Sequence, residues 1–307
     1  MSCAKSPKTY QEQLEILKAR GLQVADEPFA LHCLEHHNFY RLSAYRFVLT
    51  EPENPDQFLP GITFEQIWGL YCFDRQLRLL VMEAVKRLEI SARSHWAYVL
   101  AHKRGPQSYE DPANFHDVQR HTKALAALDN ELARSHEVFV NHFQTKYAMQ
   151  RPPIWAVCEV MSFGLLSRFY ENSKRISDCK KIARAFDFYP ETLKSLLEHA
   201  AYVRNLCAHH SRLWNRRFTI TLALPQHPAR IAESLHPAED RRIYNTLVVL
   251  AHVVDVVEPE NHWAHRLLAL LRAQTFSVTE HMGFPSDWES RPMWTNRAHH
   301  SAQKGTP

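Results

Sequence analysis

"TFEQIWGLYCFDRQLRLLVMEAVKRLEISARSHWAYVLAHKRG", residues 63–105, is the stretch whose reading decides the fold class. Stepped at ~100° per residue, Leu70, Leu77, Val81, Ala84, Leu88 and Ala92 fall on one arc, the pattern of a helix with a single apolar face. Thr63 stands where an N-cap belongs, Glu65 and Gln66 sit in the first turn behind it, and Gly105 is the stop. On one flank of the stripe lie Asp74 with Arg78 and Glu89 with Arg93, each at i,i+4 spacing. The plain reading is a pair of helix-stabilising ion pairs worth ~0.2–0.5 kcal/mol each. The sharper one makes Glu89 and Arg93 supports of a neighbouring site.

Outward from this helix the same period recurs. "TYQEQLEILKARG" reads as a short first helix with a serine or threonine at its start and Gly21 at its end. "PFALHCLEHHNFYRLSAYRFVL" is a bent, aromatic-rich helical unit, followed by the proline-rich connection "TEPENPDQFLPGITFEQ". Downstream, "VQRHTKALAALDNELARSHEVFVNHFQTKY" and "IWAVCEVMSFGLLSRFYENS" read as a helix pair separated by Pro152-Pro153. A short helix, "KKIARAFDF", precedes "PETLKSLLEHAAYVRNLCAHHSRLWNRR", which starts with proline where a helix tolerates it. "FTITLALPQHPARIAESLHPAED" contains a β-like run, and "DRRIYNTLVVLAHVVDVV" and "HWAHRLLALLRAQ" pack as a last helical pair. From "MGFPSDW" the chain reads as an irregular tail whose final dozen residues are disordered. The fold class is all-α, without internal repeats. Domains are expected at 1–60, 61–220, 221–275 and 276–307.

Composition narrows the function classes. With 45% hydrophobic residues the 307-residue chain can bury a large core, and only 7 glycines stand in it. No GxGxxG or GxxxxGK[ST] occurs, so dinucleotide and P-loop sites lose their support. A net charge of +4 is too small for a polybasic binder, and any nucleic-acid contact must come from a local patch. The 6 cysteines form no CxxC pair, which fits a reducing cytoplasm. The N-terminus lacks the apolar core of a secretion signal. The longest apolar run, "TLVVLAHVVDVV", is interrupted by His252 and Asp255 and is too short to span a bilayer, so no membrane is expected.

"RNLCAHHSRLWNR", residues 204–216, carries the candidate chemistry. Taken as one helix through residue 214, its wheel gathers Leu193, Leu196, Ala200, Val203, Cys207 and Trp214 on one side and Arg204, Asn205, His209 and Arg212 on the other. His209 then stands among polar groups, while His210 points to the apolar side. Metal-independent RNA cleavage needs such parts. A 2′-hydroxyl attacks the adjacent phosphorus, so a base removes one proton and an acid gives one to the leaving 5′-oxygen. Histidine serves both roles near neutral pH, and an arginine fork holds the charge that builds on phosphoryl oxygens. One helix offers a single such histidine, so a mechanism with two needs a second copy across a two-fold axis. The residues alone leave other readings open. A histidine among arginines is commonly a solvated face, arginines favour helix C-termini, and a zinc set of Cys207, His210 and His199 lacks a fourth ligand.

At these residues the chain resembles the Abi-like (abortive infection) proteins of bacteria, in the HEPN superfamily of helical domains. "RNLCAHHSRLWN" carries the Arg-x4–6-His motif as Arg204, Asn205 and His209. "NFYRLSAYRFVL", "FDRQLRLLVMEAVKRLEISAR", "PPIWAVCEVMSFGLLSRFY" and "MGFPSDW" resemble the family's other blocks in order. The resemblance implies a HEPN-type helical bundle with extra N- and C-terminal helices, and a homodimer that brings two motifs together. It further implies a metal-independent endoribonuclease toxin of anti-phage defence, held in check by an antitoxin such as a small RNA. Arg204 and His209 become the catalytic pair, with Asn205 beside them. Arg212, His210, Glu89 and Arg93 are expected to bind RNA or to support the site, and no cofactor or metal is expected. The alternatives from other classes are an RNA-binding module that does not cut and a helical scaffold for a protein partner.

Overall fold

The computed structural model describes residues 6–274, 277 and 279–295; the expected disorder of the last dozen residues lies outside them. Its helices are α1 (Tyr10–Ala19), α2 (Glu27–His36), α3 (Phe39–Ser43), α4 (Phe64–Arg104), α5 (Val118–Ala133), α6 (Val138–Lys146), α7 (Ile154–Val160), α8 (Phe163–Glu171), α9 (Ile176–Arg184), α10 (Pro190–Ala208), α11 (Ala229–Ala232), α12 (Ile243–Val257) and α13 (Trp263–Arg272). Among the described residues there are isolated β-bridges but no strand, and the fold is all-α. Contacts divide the chain into two units, Met1–Leu77 and Arg78–Pro307, with the boundary inside α4.

α4 confirms the deciding stretch. At 41 residues it is about 62 Å long at 1.5 Å per residue. The Gln66 side chain accepts from the Thr63 backbone N–H at 2.9 Å, one half of a capping box, and Gly105 closes the helix at φ +87°. All six residues of the apolar arc are buried. Asp74 and Arg78, on the flank of the stripe, are buried as well: they are 0% and 6% exposed, and Asp74 accepts from the Tyr45 hydroxyl at 2.6 Å. A charge inside a core is tolerated only when hydrogen bonds replace its water, and the tyrosine supplies one.

In the first unit, α1 opens with a full capping box between Thr9 and Glu12 and packs on α2. The bent unit separates into α2 and α3, with the Asn38 side chain accepting from the Tyr40 N–H to start the second.

In the second unit the expected helix pair becomes four helices. α5 and α6 part at residues 134–137, and α7 and α8 part at Met161 and Ser162. The second break is held from outside, since Arg93 donates to the Met161 carbonyl at 2.8 Å while Glu131 accepts from the Ser162 N–H at 2.7 Å. α8 and α9 pack against α10. α12 is buried on every side from Ile243 to Val254, which accounts for its unbroken apolarity, and the Trp263 indole at the head of α13 donates to the Leu80 carbonyl. No helix among the described residues is long and apolar enough to cross a membrane. The expected irregular tail is packed as far as it is described, with Met282, Met293 and Trp294 buried and Arg291 donating to the Leu235 carbonyl at 2.5 Å.

Candidate functional site

α10 starts at Pro190, preorganised for a first helical position, and buries Leu193, Leu196, Leu197, Ala200, Val203 and Cys207. A second ridge, Ser195, His199 and Tyr202, does different work. The Ser195 hydroxyl accepts from the Ala223 N–H at 2.8 Å, the Tyr202 hydroxyl from the Thr219 N–H at 3.4 Å, and the His199 ring meets the Ile220 carbonyl at 2.8 Å. The β-like run forms no strand: it bends at Thr219 and Ile220, and side chains of α10 take backbone bonds that a sheet neighbour would make.

The helix ends earlier than its polar pattern implied. Ala208 is its last residue, His209 is the C-cap, and His210 turns back with φ +56°. The His210 N–H donates to the Cys207 carbonyl and the Ser211 N–H to the Leu206 carbonyl, the bond pair of a Schellman motif. A wheel drawn through residue 214 therefore fails beyond His209. His210 is exposed and does not turn toward the apolar side, and Arg212 lies past the reversal, half-buried. Leu213 and Trp214 are buried, Asn215 accepts from Arg242 at 2.6 Å, and the Phe218 N–H donates to the Arg241 carbonyl. These contacts fix the segment that follows the helix.

Arg204, Asn205 and His209 lie in the last turns of α10, all exposed. The Arg204 guanidinium donates to the Asn205 side-chain oxygen at 3.4 Å, and the Asn205 carbonyl accepts from the His209 N–H at 3.0 Å. From Arg204 to Arg217 the chain has four arginines and no carboxylate. An imidazole, a fork-shaped cation and an amide facing water can exchange protons and hold a phosphate.

Glu89 and Arg93 form the expected ion pair, with both side chains mostly buried. The two Nη atoms of Arg93 also donate to the Glu159 and Met161 carbonyls, so the pair braces the end of α7.

His199 is a core residue. Nδ1 donates to a carbonyl, which fixes the tautomer, and Nε2 accepts from the Thr246 hydroxyl at 2.8 Å. Burial lowers its pKa to about 4. Neither ring nitrogen is left for a metal, so the set with Cys207 and His210 does not form around it.

The structure brings out two further features. His32, Glu35 and His36 on α2 bring metal-type ligand atoms within 4.8 Å of one another. Their His-x-x-Glu-His spacing was the signal available in the sequence. A groove of about 640 Å³ is lined by Lys180, Lys181, Arg184, Asp187, Tyr189 and His227, all exposed. Its lysines and arginine stand together in the last turns of α9, where they resemble ordinary helix-end charge. The groove adjoins the start of α10, and Arg204 lies 14 residues further on, about 21 Å along the axis.

No curated protein and no solved structure matches the chain. The pattern of one protein family, described as Abi-like protein, matches residues 32–215, more than half of the chain and a span that runs from within α2 to the segment just after α10. The family points to abortive infection defence. An all-helical chain matched over this length, with its reactive-type residues inside the match, belongs to the Abi-like protein family.

Proposed function

We propose that the chain is a metal-independent endoribonuclease of the HEPN type, a toxin of bacterial anti-phage defence. The observation that carries this reading is the exposed cluster of Arg204, Asn205 and His209 at the end of α10, in a tract of arginines without a carboxylate. His209 moves protons, Arg204 stabilises the phosphoryl oxygens, and Asn205 orients the phosphate or the arginine. The 2′-oxygen bonds to phosphorus as it loses its proton, and the 5′-oxygen leaves as it gains one. The products are a 2′,3′-cyclic phosphate and a 5′-hydroxyl. The end of α10 offers one such histidine, so the acid and base are His209 from two copies of a dimer. A small RNA would serve as antitoxin by occupying the same cationic surface.

The test compares wild type with His209→Ala in cells, reading growth and RNA ends. Cleavage falls by more than the ~10²–10⁴-fold that one acid-base group contributes, since the variant dimer lacks both the acid and the base. Equal cleavage and equal arrest by both proteins would falsify the assignment.

The groove at Lys180, Lys181, Arg184 and Tyr189 favours a second reading, binding of RNA without cutting, because cations beside an exposed aromatic ring suit a single strand. That reading expects binding that weakens steeply with salt, is unchanged in His209→Ala, and leaves no cyclic phosphate.

A further inference from the structure

α2 has two faces of different character. Ala30, Cys33 and Leu34 are buried, and the opposite side presents His32, Glu35 and His36 to solvent. At ~100° per residue His36 lies about 40° from His32 and Glu35 about 60° to the other side, so the three side chains rise from one patch. The His32 and His36 rings stand with centroids 4.5 Å apart, and one ligand atom from each of the three residues lies within 4.8 Å of the others.

We propose that His32, Glu35 and His36 form a binding site for one borderline divalent cation, zinc in the first instance. Two imidazole nitrogens and one carboxylate oxygen are the donor set such ions take, whereas magnesium and calcium require oxygen throughout. A tetrahedral ion with bonds of ~2.0–2.1 Å holds its ligands about 3.4 Å apart. The present spacing closes to that distance by side-chain rotation alone, since the three residues are exposed and the i,i+4 backbone is already set. The position on the helix adds to the attraction. His36 is the last residue of α2, where the carbonyl ends carry negative partial charge, and the ten residues of the helix include no lysine or arginine. Three protein ligands leave the remaining position to water, so the ion exchanges. The site belongs to α2, has no part in the chemistry proposed for α10, and stands or falls separately from it.

The full-length protein, freed of metal by chelation, is titrated with Zn²⁺ by calorimetry and with Co²⁺ by visible absorption. The expected result is one Zn²⁺ per chain and a Co²⁺ band of tetrahedral intensity. Both weaken at least ~10-fold in His32→Ala and in His36→Ala, the minimum known for loss of even an outer partner of a metal site. Glu35→Gln weakens binding less than either, since it keeps both nitrogens. His142→Ala, an exposed histidine on α6, leaves binding unchanged. Far-UV circular dichroism of each variant verifies that the helices persist. Absence of binding by wild type overturns the site. So does stoichiometric binding that survives the double variant His32→Ala/His36→Ala.

Discussion

His210 holds in α10 the position that Gly21 holds in α1. Both helices end in a Schellman motif, with the residue after the C-cap at φ +56° and +89°. Glycine enters that conformation freely, whereas a residue with a Cβ is held there at a cost of about 1–2 kcal/mol, which histidine bears better than most. Such strain, where it occurs, tends to mark positions that function requires. His210→Gly relieves it, partly offset by the freer unfolded chain, and raises the thermal midpoint by about 1–3 °C for a net gain near ~1 kcal/mol. His210→Val lowers the midpoint, since a branched Cβ fits the left-handed region worst. A scanning calorimeter decides both. A drop for the glycine variant would show that the imidazole's contacts outweigh the strain. The motif Arg204, Asn205 and His209 was legible as residue types, but the geometry of the histidine beside it was not, because nothing in "CAHHSR" spells a glycine-type stop.

At the scale of the element, Arg93 shows how a helix break is maintained. Its guanidinium pairs with Glu89 one turn away on α4 and donates to the Glu159 and Met161 carbonyls that the end of α7 leaves open. Arg93→Met strands a mostly buried carboxylate and those carbonyls together, and is expected to lower stability by about 3 kcal/mol in chemical denaturation. Arg93→Lys keeps the charge for Glu89 but lacks the planar fork, so it recovers only part of that loss. If the lysine variant equals wild type, the carbonyl contacts are unimportant and the ion pair alone matters. The periodicity of "IWAVCEVMSFGLLSRFY" reads through Met161 as one helix because the apolar spacing continues across the break. The partners that make the break stable, Arg93 and Glu131, come from other helices, and no local pattern records them.

At the scale of the molecule, the second unit encloses two histidines, His199 and His252, whose burial disfavours the charged form. His199 has its folded pKa lowered to about 4 by burial, partly opposed by its bond to the Ile220 carbonyl, and His252 is lowered in the same direction by burial. A histidine in the unfolded chain titrates near ~6.5, so the unfolded state binds more protons in between. The stabilisation from neutral His199 is therefore complete above pH ~6.5 and is lost as pH falls through about 4, on the order of 3 kcal/mol in all. Denaturation midpoints measured from pH 7 to 4 should fall steeply for wild type and less for His199→Gln, where nothing titrates. An equal slope in both would move the acid sensitivity elsewhere. What the sequence determined by itself is the all-helical class, the start and end of α1 and α4, and the buried arc from Leu70 to Ala92. Period and capping act over one or two turns and are written in neighbouring residues. Only the tertiary structure decided that Asp74 and Arg78 are buried, that the run at 219–223 leans on Ser195, His199 and Tyr202 instead of pairing as a strand, and that α10 stops at Ala208. The first two turn on polar groups whose partners stand far away in the chain, Tyr45 for Asp74 and residues 219–223 for the ridge of α10, and that proximity exists only once the helices have packed; the third rests on His210, held at φ +56° where the local sequence has no glycine.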